Sequence, residues 1–211
     1  MSYRILVERL HRNFNKKYIT KEDIKDLIRP LKLDYYSAVK YLLANNYIVR
    51  ILRGIFYLKS IEERKLKKID VDYKKAILEA LRIKKVKNWY FGLESALKLN
   101  NLTHEYIATD TIISDKIFRK NTVKILNHNI RFIKAKKELF LDGKRKEEYP
   151  YSDAEKTILD IIYFSKYNGR KDSEIKNKVN DYLEFADKKK ILDYSNNYPK
   201  SVKKFIMEII W

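Results

Sequence analysis

The stretch YLLANNYIVRILRGIFYLKS, residues 41–60, constrains the fold more than any other part of the chain. A helical run stops at two asparagines, apolar and polar side chains then alternate with period two, and the alternation is interrupted once, by Arg53-Gly54. An alternating segment that folds back at a glycine predicts a hairpin with strands Tyr47–Leu52 and Ile55–Leu58 and with Gly54 supplying the positive φ at its tip. Asn46 suits the left-handed residue that ends a helix. Upstream, Ile5, Leu6, Arg9 and Leu10 space a helix from Tyr3 to about Asn13. A second helix starts at TKED, where Thr20 and Asp23 form a near capping box ahead of Ile24, Leu27 and Ile28, and Pro30 ends it. Asp34 caps a third, with Val39, Leu42 and Leu43 turned inward and Tyr35, Tyr36, Ser37, Lys40 and Tyr41 left on the outer face. Three helices followed by a hairpin is the order of a winged helix-turn-helix, which places that domain at residues 1–60.

In such a module the third helix enters the major groove and the hairpin lies over the backbone or the adjacent minor groove. Arginine then belongs on the wing. Arg50 and Arg53 are positioned to neutralise phosphates, Arg53 beside Gly54 is placed to reach into a groove, and Lys40 and the Ser37 hydroxyl donate from the helix. Charge agrees: 47 Lys and Arg against 28 Asp and Glu give a net +19. Residues 1–60 carry +8, residues 61–150 carry +9 and residues 151–211 only +2, an asymmetry expected if the front of the chain touches nucleic acid.

Beyond the hairpin, IEERKLKKIDVD (61–72) reads as a charged connector or short helix, and 73–211 as a second domain. YKKAILEALRI and YFGLESALKLNNL read as helices; EYIATDTII, TVKILN, IRFIKAK and KELFLDGK read as strands, with NHN at 127–129 as a turn. Helical periodicity returns at Ser152 or Asp153 and continues in runs near 172–186, 187–194 and 200–211. The expected class is α+β: a winged helix-turn-helix followed by a mixed domain with a small antiparallel sheet and several helices.

Several chemistries are disfavoured. Without cysteine there is no disulfide, thiolate nucleophile or cysteine-bound zinc, and His11, His104 and His128 fall in different elements with no neighbouring ligand, so no metal is expected. Four scattered glycines form no phosphate-cradling loop, so no nucleotide cofactor is expected either. No apolar run is long enough to span a bilayer and MSYRILVERLHRNF is too charged for a secretory signal, so the expected location is cytoplasmic, away from any membrane. The enzymatic alternative is a metal-dependent nuclease using Asp110, Asp142 and Lys144, with acids on neighbouring strands holding a divalent ion. Chance weighs against it, because an acid two positions before a lysine recurs here, as at Asp23 and Lys25. Seventeen tyrosines raise RNA stacking as a third reading, without an interleaved stacking motif to carry it. Glu155 and Lys156 read as a helix-opening acid and a solvated base.

Three stretches together resemble the AbiEi-like antitoxins of AbiE-type (type IV) toxin-antitoxin systems: NNYIVRILRGIFYL (45–58), YFGLESALKLNNLT (90–103) and YSDAEKTILDIIYF (151–164). The first is similar to that family's recognition-helix end and Arg-Gly wing, the second to the helix opening its C-terminal domain, and the third to its Glu-Lys-containing helix. The resemblance implies a transcriptional repressor that binds inverted repeats in its own promoter through the N-terminal winged helix; the expected partner is double-stranded DNA, the expected state a monomer or weak dimer, and no enzymatic activity is expected. It also implies a C-terminal domain that counters a cognate nucleotidyltransferase-like toxin.

Overall fold

The computed structural model describes residues 2–14 and 17–210. By contacts the chain divides into two units, residues 1–85 with 125–127, and residues 86–124 with 128–211. Trp211, included in the last helix by the sequence pattern, lies outside the described residues.

In the first unit the elements run α1 (Ser2–Asn13), β1 (Tyr18–Thr20), α2 (Lys21–Ile28), a 3-10 turn (Arg29–Leu31), α3 (Tyr35–Ala44), β2 (Ile48–Leu52), β3 (Ile55–Leu58), α4 (Ile61–Lys65) and α5 (Tyr73–Ile83). The local signals act as the sequence predicts. Thr20 and Asp23 complete a reciprocal capping box, the Asp34 carboxylate accepts from the Ser37 amide, and Asn46 (φ 57°) and Gly54 (φ +77°) occupy the left-handed region. Strand β3 is central in an antiparallel sheet of order β1-β3-β2, with Ile19 opposite Phe56 and Leu52 opposite Ile55. A bulge between Arg50 and Leu52 breaks the alternation, so Ile51 and Leu52 are both buried while Arg50 stays exposed. Leu6, Leu10, Ile24, Leu42, Ile48 and Phe56 meet in one apolar cluster.

The 61–72 connector contains α4, and α5 belongs with the first unit rather than opening the second. Its face of Ala76, Ile77, Ala80 and Leu81 is fully buried and packs on β2. Helix α4 is fixed through Glu63. Its carboxylate accepts from the Ser60 amide (2.8 Å), the Asp70 amide (2.8 Å) and the Tyr57 hydroxyl (2.7 Å). Burial pushes this carboxyl up, but the three donors outweigh burial and hold it below the ordinary glutamate value.

The second unit contains β4 (Trp89–Phe91), α6 (Glu94–Leu99), β5 (Thr109–Ser114), β6 (Val123–Ile125), β7 (His128–Lys134), a 3-10 turn (Lys137–Phe140), β8 (Lys144–Lys146) and β9 (Pro150–Ser152). Four helices follow: α7 (Ala154–Tyr167), α8 (Asp172–Leu183), α9 (Lys188–Ser195) and α10 (Lys200–Ile210). The sheet order is β6-β7-β5-β4-β9-β8. It is mixed rather than antiparallel, because β5 runs parallel to β7 and β4 parallel to β9. The molecule is therefore α+β, with a six-stranded mixed sheet and a separate three-stranded antiparallel one.

Two elements differ from their sequence patterns. Trp89–Phe91 is a strand where YFGLESALKLNNL reads as one helix. All three of its residues are buried, and the helix starts only after Leu93 takes a positive φ of 54°. KELFLDGK forms a 3-10 turn, because adjacent Leu139 and Phe140 are both buried, which a one-faced strand does not allow.

Glu155 lies in the first turn of α7, as its spacing predicts, but Lys156 is not solvated: the two are 8% and 2% exposed. Lys156 Nζ donates to the Leu139 carbonyl and the Tyr198 hydroxyl (3.0 Å), and lies 3.5 Å from Asp160, which is fully buried. Asp160 in turn accepts from the hydroxyls of Tyr90 (2.9 Å) and Tyr198 (2.7 Å). One network thus ties β4, α7 and the turn before α10 together inside the apolar cluster of α7, α8, α9 and α10. Among the described residues no helix is long and apolar enough to cross a membrane.

Removing one partner of a buried pair leaves the other charge uncompensated, so Lys156→Met is expected to cost about 3 to 5 kcal/mol in urea denaturation. Because the Glu63 carboxyl is depressed, its contribution is present at neutral pH and lost as pH falls through its folded value. Glu63→Gln should therefore be less stable than wild type at pH 7, with the difference shrinking below the ordinary glutamate value of 4.5.

Candidate nucleic-acid interface

Helix α2 begins immediately after β1, so the edge of the small sheet delivers Lys21 beside the hairpin tip. The Lys21 amide donates to the Gly54 carbonyl (2.8 Å), and a Cβ added at Gly54 would lie 3.6 Å from Lys21 Cβ. Between this pinned tip and α3, along Tyr35 to Leu43, lies an open cleft of about 750 Å³. Its cations are Lys21, Lys40, Arg50, Arg53 and Lys84, and its single carboxylate is Glu22. Like charges gathered in one recess create a positive potential that favours an anionic partner.

Aromatic faces hold the basic side chains in place. Lys21 Nζ sits 5.5 Å from the Tyr35 ring centroid, and the Arg50 guanidinium 5.7 Å from that of Phe56. Tyr35 and Tyr36 meet edge to face at 5.3 Å; Tyr35 is half-buried and Tyr36 is 77% exposed. Burial pushes the Tyr35 hydroxyl above its ordinary value, with Arg50 opposing the shift. Both rings stand on the cleft wall.

Six of the eight residues predicted for the site, Tyr35, Tyr36, Lys40, Arg50, Arg53 and Gly54, line this one cleft. Ser37 is exposed but its amide is engaged with Asp34, whose carboxyl is held low chiefly by that bond. Tyr41 faces the other way. Its ring stacks on Tyr3 at 4.5 Å and on Tyr47 at 6.3 Å, so it joins α1 to α3 and the hairpin instead of the outer surface. Arg53 and Gly54 alone connect the paired residues Leu52 and Ile55, so the hairpin projects little beyond the sheet.

Sequence reasoning missed Lys21 and Lys84. Lys84 enters because α5 belongs to this unit, and Lys21 because the three residues of β1 pair with β3. The only local hint of β1 is the aromatic and β-branched triplet Tyr18-Ile19-Thr20 just before the capping box.

The nuclease constellation does not assemble. Asp110 lies on β5 and hydrogen-bonds to Ser95, Lys144 lies on β8 three strands away, and Asp142 accepts from Asn197. Three strand spacings put about 14 Å between the backbones that carry Asp110 and Lys144. Among the described residues no three His, Asp or Glu side chains converge on a possible metal position.

No family model matches the chain, and no curated protein matches it. Among solved structures it is similar to the RV2827C protein from Mycobacterium tuberculosis, whose crystal structure superposes with a TM-score of 0.59 at 12% identity, covering 99% of this chain and 76% of that one. At that identity the likeness is one of fold.

Gly54 is the residue on which the tip depends. Gly54→Ala places a Cβ at a φ of +77° and is expected to lower stability by about 1 kcal/mol, read as a shift in the thermal midpoint. Tyr41→Ala should also destabilise, by roughly 3 kcal/mol for a large aromatic packed between two rings.

Proposed function

We propose that the protein is a double-stranded DNA-binding transcriptional regulator whose first unit is a winged helix-turn-helix. The observation that carries this reading is the cleft shared by α3 and the hairpin tip, with five cations against one carboxylate. The order α1, β1, α2, α3, β2, β3 and the antiparallel pairing of β1, β3 and β2 support it. In this reading α3 presents Tyr36 and Lys40 to base edges. Lys21, Arg50 and Arg53 hold the register on phosphates, which supply affinity but no sequence information.

For the second unit we propose the antitoxin role, on the strength of the resemblance of residues 90–103 and 151–164 to the AbiEi-like family. The partner would be a nucleotidyltransferase-like toxin. Inverted repeats in the operator would be read by a monomer at each half-site or by a weak dimer.

Titration of a DNA duplex across salt tests the first proposal. Lys40→Ala and Arg53→Ala are each expected to weaken binding and to flatten the dependence of log K on log salt by about one. A double variant with unchanged affinity and slope removes α3 and the tip from the interface. Co-expression with the product of the adjacent gene tests the second: relief of its growth inhibition is expected, and persistent inhibition discards the antitoxin role while leaving repression standing.

A further inference from the structure

A second basic recess, of about 460 Å³, lies at the other end of α3. The helix C-terminus contributes Asn45 and Asn46, the root of the hairpin contributes Lys59, and α4 and the turn after it contribute Arg64, Lys65 and Lys67. The two recesses share no lining residue: the tip cleft gathers α2, α3 and the hairpin tip, and this one gathers the residues after α3, the root of the hairpin and α4.

Four cations line the recess and no carboxylate does. Glu63 is engaged by Tyr57, Ser60 and Asp70, and the exposed Glu62 of the same helix interacts with Lys65 but does not line the recess. Arg64 is held rather than solvated. Its guanidinium lies 3.7 Å from the centroid of the Tyr47 ring, and its Nε is buried with no hydrogen-bond partner among the described residues. Lys59 is 7% exposed, which brings a further ammonium along the wall instead of out into solvent.

We propose that this recess binds backbone phosphates of a nucleic acid, as a contact region separate from the tip cleft. The class of occupant rests on the nucleic-acid reading above; the location rests on the residues of the recess itself. Stacked on Tyr47, Arg64 brings a guanidinium charge of restrained position to the wall of the recess. Lys59, Lys65 and Lys67 add point charges around it, and the Asn46 amide adds a neutral donor. The recess is open and carries no acceptor-rich wall, which suits a repeating polyanion better than a small metabolite needing enclosure.

The test uses the full chain, a labelled duplex of about 30 base pairs and arbitrary sequence, and salt from roughly 50 to 200 mM, since phosphate contacts are independent of sequence. Lys65 and Lys67 are exposed, so Lys65→Glu/Lys67→Glu spares the core. A control, Lys176→Glu/Lys200→Glu, reverses two exposed lysines outside both clefts, and Lys40→Glu/Arg53→Glu disables the tip. The recess variant is expected to lose about ten-fold more affinity than the control and to flatten the salt slope by about two, with Lys65→Arg/Lys67→Arg retaining both. A recess variant that behaves like the control overturns the second site, and the tip reading survives if the tip variant still binds weakly. A tip variant that matches the control while the recess variant fails removes the tip reading and keeps the recess. Wild-type protein that does not bind duplex, but does bind a polyglutamate peptide through Lys65 and Lys67, overturns the proposal in favour of an acidic protein segment.

Discussion

The hydrogen bond from the Lys21 amide to the Gly54 carbonyl is the constraint on which the first unit's surface depends. It closes the small sheet at the one point where the chain turns without a side chain, and it brings the start of α2 against the hairpin tip. Thr20 takes part in both structures at once. It ends β1 opposite Ile55 and caps α2 through its hydroxyl, with Asp23 bonding back to the Thr20 amide. Strand pairing and helix capping therefore fix one backbone position from two sides. The basic residues around it inherit a defined geometry.

Charge on this unit is organised by what lies beneath it. Lys21 over Tyr35, Arg50 over Phe56 and Arg64 over Tyr47 each rest on an aromatic face contributed by the helix or hairpin. An aromatic face restrains a cation while leaving its donors unspent, which a carboxylate partner would not. Four carboxylates of this unit, Asp23, Asp34, Glu63 and Asp72, serve as helix caps. Basic side chains are left for the surface. The second unit handles charge in the opposite way, drawing Lys156 and Asp160 into its interior and satisfying both with tyrosine hydroxyls and a carbonyl.

Most of the first unit was legible because its signals are local. Capping residues, the proline after α2, Asn46 and Gly54 each act within a few residues, and the structure places them as their chemistry dictates. The helical face of α3 was only partly legible. Periodicity put Tyr41 outward, but its ring has aromatic neighbours on α1 and β2's approach that no spacing rule displays. The Arg50 bulge was hidden for a similar reason: an extra residue in one strand is defined only against its partner. Lys156 reads as solvated in any local window, and its burial depends on Tyr90 and Tyr198, which lie far from it in the sequence.

By itself the sequence determined where the first three helices start and stop, where the hairpin turns, and that the chain carries a strong positive charge, because caps, positive-φ residues and formal charge are properties of short segments. Tertiary structure alone decided which charges share a recess, that α5 joins the first unit, that the larger sheet mixes parallel and antiparallel pairs, and that a lysine and an aspartate lie buried together. Those outcomes depend on contacts between residues distant in the chain, whose free energy no local pattern encodes.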